Sequence, residues 1–167
     1  MTNTNTTKTY KNSKNIFEIV IRPTLKIRSR QWWIKKTKEI SRILKKNLPK
    51  KGVHYSKSFQ STLLLTNNKE IQNLNKKHRN LNKPTDVLSF HLNKKEQICL
   101  KYLGDIIISV EKAKKQAIEQ NKTLEEELFM LIIHGFLHLI GYDHQKVKER
   151  KIMFSLQNKL LKKIKVN

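Results

Sequence analysis

The seventeen residues from Leu124 to Ile140, LEEELFMLIIHGFLHLI, constrain this chain more than any other stretch. From Leu128 onward the segment is apolar nearly all round: Leu128, Phe129, Met130, Leu131, Ile132, Ile133, Phe136, Leu137, Leu139 and Ile140. A helix with that pattern has no solvent face, so the rest of the fold must be built around it. Its ends are also marked. Thr123 and Glu126 form a capping box, and Glu125, Glu126 and Glu127 stand where the helix dipole favours negative charge. Gly141 stands where a left-handed residue would stop the helix.

Only two polar side chains interrupt the apolar half, His134 and His138. Four residues apart, they project from one face on successive turns. His144 follows just past the Gly141 turn, giving H-x-x-x-H-x-x-G-x-x-H. A single buried histidine is usually a hydrogen-bonded core residue. A pair on an apolar helix, with a third beyond a glycine turn, is the pattern of a metal site. Three histidines plus a water make an open, catalytic zinc centre rather than a closed structural one. Such a zinc makes hydroxide available near neutral pH. Asp143 is either a carboxylate that orients a ligand ring or an ordinary turn aspartate. Zincin proteases carry their general base as the Glu of H-E-x-x-H. This chain has Gly135 there, which counts against peptide hydrolysis and leaves phosphodiester attack open.

A phosphate needs a partner, and Arg79 is the candidate, in the polar run HRNLNKP (78–84) between a helix and a strand. Arginine binds phosphate bidentately and is scarce here: 6 arginines stand against 30 lysines. Asp86 and Ser89 interrupt the apolar strand that follows and are candidate substrate-binding residues; Ser89 also reads as the solvent face of that strand. The net charge of +23, from 36 basic and 13 acidic residues, favours polyanions. The same bias accompanies 15 asparagines and 18 isoleucines, all with A/T-rich codons, so codon drift accounts for the lysines about as well.

A length of 167 residues predicts one domain, and Cys99, the only cysteine, excludes a disulfide framework. Residues 1–15 read as a disordered basic tail with no apolar signal region, and residues 16–167 as the single domain. Alternation predicts strands over Ile16–Arg22, Phe59–Thr66, Thr85–Leu92 and Tyr102–Val110. Helices are expected over Ser29–Asn47 (ended by Pro49 and Gly52), Asn67–Arg79, 110–121, 124–140 and Lys146–Ile164. The last has Ile152, Met153, Leu156, Leu160 and Ile164 inward. The expected class is α+β: a small sheet of about four strands packed by about five helices, with a zincin-like metal helix. The strands Thr85–Leu92 and Tyr102–Val110 are expected to pair antiparallel across a long loop. No transmembrane segment is expected, and a soluble cytoplasmic protein is the default.

HGFLHLIGYDH (134–144), with Arg79, TDVLSF (85–90) and GDIIIS (104–109), resembles the bacterial rRNA maturation factor YbeY family of metal-dependent endoribonucleases. The likeness covers roughly residues 58–160. It implies one Zn2+ per chain on His134, His138 and His144. It implies a catalytic or substrate-binding role for Arg79 and a catalytic role for His134. It also implies cleavage of single-stranded RNA, maturation of the small-subunit rRNA 3′ end, ribosome quality control, and the small ribosomal subunit as partner in a bacterial cytoplasm. Where the family usually has proline after LSF, this chain has His91, which either alters the strand exit or adds an imidazole at the cleft rim and is not taken as a ligand. Two rival readings are a noncatalytic ribosome-assembly factor with structural zinc and a metalloprotease.

Overall fold

The computed structural model describes residues 16–48 and 59–165. The tail over 1–15 and the helix stop at Pro49 and Gly52 lie outside those residues. Ten elements follow in order: β1 (Phe17–Ile21), α1 (Arg30–Asn47), β2 (Gln60–Thr66), α2 (Asn68–Arg79), β3 (Val87–His91), α3 (Lys94–Leu100), β4 (Tyr102–Ser109), α4 (Val110–Glu119), α5 (Leu124–Leu139) and α6 (Val147–Leu161). The sheet order is β1-β2-β4-β3. β1, β2 and β4 run parallel, and β3 pairs antiparallel with β4, Phe90 opposite Asp105 and His91 opposite Gly104.

The class is α+β, with the expected four strands and, among the described residues, one helix more than expected. The extra helix, α3, lies in the connection between β3 and β4 and buries none of its residues. No apolar stripe betrays it. Its one signal is the capping box in which Asn93 accepts from the Glu96 N–H and Glu96 accepts from the Asn93 N–H.

β4 explains the layering. Successive side chains of a strand point to opposite faces. Ile106 and Ile108 enter the main core, shared with α1, α5 and α6, while Ile107 joins Ile71 of α2 and Leu88 of β3 on the other face. An apolar strand on both faces belongs inside the sheet, and β4 sits between β2 and β3. Trp33 of α1 meets Phe129 of α5 edge-to-face at 6.1 Å, and Phe17 of β1 meets Phe136 at 5.7 Å. Burying each such ring contributes about 1.5–3 kcal/mol, so α5 is clamped along its length. On α6 the inward face runs through Met153, Gln157 and Leu160. Ile152, expected inward, is 59% exposed, because it lies about 100° around the helix from Met153.

Gly104 is dictated by the sheet. Its φ is +135°, and a Cβ there would stand 2.0 Å from the Phe90 carbonyl oxygen. Only glycine lets β3 approach β4 at this point.

Candidate functional site

α5 crosses β3 and β4 at close range, and Gly135 is the point of contact. A Cβ on it would meet Ile106 Cγ2 at 2.8 Å and Ser89 Oγ at 3.0 Å. The Ser89 hydroxyl donates to the Gly135 carbonyl at 3.3 Å. Position 135 therefore faces the sheet, and a protease-type glutamate has no room there. Ser89 is a cleft residue that ties strand to helix rather than a plain solvent-facing one.

With Gly135 against the sheet, His134 and His138 turn toward a cleft of about 1060 Å³. Gly141, at φ +92°, then reverses the chain. Its N–H donates to the His138 carbonyl at 3.0 Å and that of Tyr142 to the Leu137 carbonyl at 3.0 Å. The reversal brings His144 back. Its ring centre lies 5.0 Å from that of His138 and 5.3 Å from that of His134.

The donor atoms fit a metal. The Nε2 atoms of His134 and His138 are 3.2 Å apart. Two nitrogens on one tetrahedral zinc, each about 2.0–2.1 Å from it, stand roughly 3.3 Å apart. One donor nitrogen from each of the three histidines lies within 4.8 Å of the others. Gln157 of α6, 8% exposed, accepts from His134 Nδ1 at 2.9 Å. That bond places the proton on Nδ1 and leaves the Nε2 lone pair for the cluster. Burial lowers the pKa of His134, with His144 adding repulsion against the partial rescue by Gln157. Burial also lowers His138, helped by repulsion from His134 and His144. Both rings are held neutral, the form that ligates.

Arg79 lines the same cleft. It is the last residue of α2, where the expected helix also ends, and Asn80 follows at φ 57° as the left-handed cap. The Arg79 side chain is exposed. His91, at the end of β3, lines the cleft as well. Asp86 lines it with both oxygens engaged. Oδ1 accepts from the Val87 N–H at 2.8 Å and the Thr85 hydroxyl at 3.0 Å, and Oδ2 accepts from Gln116 Nε2 at 2.9 Å. Burial alone would push this carboxyl up, but the three donors hold it below its ordinary value. Asp143 accepts from the His144 N–H at 2.7 Å, the turn role. The group that orients a histidine ring is Gln157, which the sequence reading passed over.

The family model of endoribonuclease YbeY matches residues 26–165. The chain belongs to the endoribonuclease YbeY family. The endoribonuclease YbeY of Oceanobacillus iheyensis is 42% identical over 130 residues, covering 73% of this chain and 83% of that protein. The endoribonuclease YbeY of Pelagibacter ubique is 43% identical over 133 residues, covering 79% and 87%. Among solved structures, the solution structure of TM1509 from Thermotoga maritima matches with a TM-score of 0.62 at 28% identity, over 89% of this chain and 88% of that one. The stretch that matches the YbeY model includes all three histidines, Arg79, Asp86, Ser89 and Gln157. Among the described residues, no helix is long and apolar enough to cross a membrane.

Proposed function

We propose that this chain is a metal-dependent endoribonuclease that cuts single-stranded RNA in rRNA processing. In this reading it matures the small-subunit rRNA 3′ end, serves ribosome quality control and works on the small ribosomal subunit in a bacterial cytoplasm. Residues 16–167 form its catalytic domain. The observation that carries the reading is one cleft lined by three convergent histidines and by an arginine that no carboxylate pairs among the described residues.

His134, His138 and His144 hold one Zn2+. When bound, the ion supplies Lewis-acid polarisation of a phosphate oxygen and a nucleophile at neutral pH. Gln157 keeps the His134 proton on Nδ1, so that Nε2 faces the ion. Arg79 holds two non-bridging phosphate oxygens through its planar fork and stabilises the charge that grows on them. Its exposure suits a group that meets substrate rather than core. Ser89 fixes α5, which carries His134 and His138, against β3. Asp86, its oxygens already satisfied, shapes the wall and leaves phosphate to the cations.

The test is cleavage of single-stranded rRNA by zinc-loaded protein beside His138→Ala and Arg79→Ala, all purified identically. His138→Ala loses zinc and cleavage together; Arg79→Ala keeps zinc and loses cleavage. Equal residual activity in the parent and His138→Ala points to a contaminating nuclease and returns the assembly-factor reading.

A further inference from the structure

Arg79 and Asp86 line a second concavity besides the histidine cleft. It is a shallower groove of about 400 Å³, walled also by Asn75 of α2, Lys83, and Lys112 and Gln116 of α4. Its volume falls within the roughly 300–1,000 Å³ of small-ligand sites. Because Arg79 and Asp86 border both spaces, the two adjoin along the surface.

The chemistry of its wall is two-sided. Arg79, Lys83 and Lys112 bring three cations, and none of them pairs with a carboxylate among the described residues. The one acid, Asp86, is occupied by its three donors. The wall therefore calls for an anion. It also calls for hydrogen-bond donors. Asn75 is 2% exposed and its Nδ2 donates to the Lys83 carbonyl at 2.8 Å, which fixes the amide and leaves Oδ1 without a donor. Gln116 spends Nε2 on Asp86 at 2.9 Å, and its Oε1 also lacks a donor. Both oxygens are closed off from solvent, so a donor in the groove reaches them only when the two side chains turn toward it; left unsatisfied, each costs about 1–3 kcal/mol. A ligand with a phosphate and with hydroxyl or amino hydrogens meets both demands at once. A nucleotide carries its phosphate and its hydroxyl or amino donors on separate parts of one molecule, whereas free hydrogenphosphate has only the O–H groups of the same small ion that meets the cations.

We propose that this groove is a nucleotide subsite. It takes the nucleotide adjoining the scissile phosphate of a single-stranded RNA, with that nucleotide's own phosphate on Lys83 and Lys112 and its hydroxyl or amino hydrogens toward Asn75 and Gln116. Arg79 stands where the strand passes from one concavity to the other. The proposal rests on the endoribonuclease reading for the identity of the strand, so its test separates binding from cleavage.

The binding arm measures anisotropy of a short, fluorescein-labelled single-stranded oligoribonucleotide with the full chain in EDTA, where no cleavage occurs. Lys83→Glu and Lys112→Glu are compared with Lys35→Glu, which makes the same charge change at an exposed site on α1 away from the groove. The two groove variants are expected to weaken binding about tenfold and to flatten the salt dependence by about 0.7 each in log–log slope, with Lys35→Glu near the parent. Equal weakening in all three variants would mean net charge alone and would overturn the subsite. So would no weakening in any. The cleavage arm uses the zinc-loaded chain and bis(p-nitrophenyl) phosphate, too small to fill both concavities. Lys112→Glu is expected to raise the KM for RNA severalfold, and Lys35→Glu to match the parent on both the diester and RNA. If the parent cleaves neither substrate but the groove variants still bind RNA selectively worse, the nuclease reading falls and the groove stands as an RNA-binding site without a scissile phosphate beside it. If the parent cleaves RNA and all three variants bind alike, the subsite falls alone.

Discussion

His134 and Gln157 share a hydrogen bond of 2.9 Å that joins the metal helix α5 to the last helix α6. Gln157 is nearly buried between Met153 and Leu160, so its amide has little freedom to turn elsewhere. This bond selects the His134 tautomer and holds the ring plane. Partners of this kind typically hold 10–100-fold in metal affinity. Gln157→Met keeps the volume and removes the acceptor. It is expected to weaken zinc binding by about that factor in competition with a chromophoric chelator. Gln157→Glu, which keeps the acceptor, is expected to bind zinc at least as tightly as the parent. Unchanged affinity in Gln157→Met would show that packing alone orients His134.

Gly135→Ala tests the contact between α5 and the sheet. A methyl group would lie 2.8 Å from Ile106 Cγ2 and 3.0 Å from Ser89 Oγ. Overpacking of this kind costs about 1–3 kcal/mol, and alanine's better helix propensity returns about 1 kcal/mol. The difference is a net loss of up to about 2 kcal/mol, expected from the urea midpoint. The shifted helix also moves His134 relative to Arg79, so RNA cleavage should fall while zinc affinity stays close to the parent's.

What the sequence made legible follows from how local each signal is. The α5 histidines, its Thr123–Glu126 capping box and the Gly141 turn all lie within a short stretch, and the structure brings them together as expected. Gln157 is 23 residues from His134, and their meeting depends on how α6 packs on α5. A signal was nonetheless present: a polar residue on the inward row 153, 157, 160, the same kind of interruption that exposed the histidines. The position of β4 between β2 and β3 depends on long-range pairing that periodicity does not carry. α3 had only its Asn93–Glu96 box, because a helix with no buried residue leaves no apolar stripe. The groove beside Arg79 draws on α2, α4 and the turn leading into β3, and no spacing along the chain announces it.

Gly104→Ala should act through the sheet alone. Its Cβ would collide with the Phe90 carbonyl oxygen at 2.0 Å, on a backbone at φ +135° that side chains rarely adopt. β3 must then pull away from β4 near the pair His91 and Gly104. A loss of about 3 kcal/mol or more is expected in thermal or urea unfolding. Amide exchange should speed up at Leu92, whose N–H donates to the Leu103 carbonyl across this junction at 3.3 Å.

Glu127 supplies the pH prediction. Its side chain is fully buried near the start of α5, and neither carboxylate oxygen has a hydrogen-bond donor. Burial pushes its pKa above the ordinary 4.5, Lys122 at 3.9 Å offsets only part of this, and Asp86 adds to the rise. The sign follows from linkage. The folded chain holds this proton more tightly than the unfolded chain, so the stability it contributes is complete below pH 4.5 and declines as pH rises through the raised folded value. Once deprotonated, Glu127 is a buried charge with one distant partner. Glu127→Gln removes that charge at constant shape. It is expected to be more stable than the parent at pH 7 by about 1 kcal/mol, with the difference vanishing near pH 4. Urea unfolding of both proteins across this range measures it. A variant less stable at pH 7 would show that the Lys122 pairing outweighs the burial of the carboxylate.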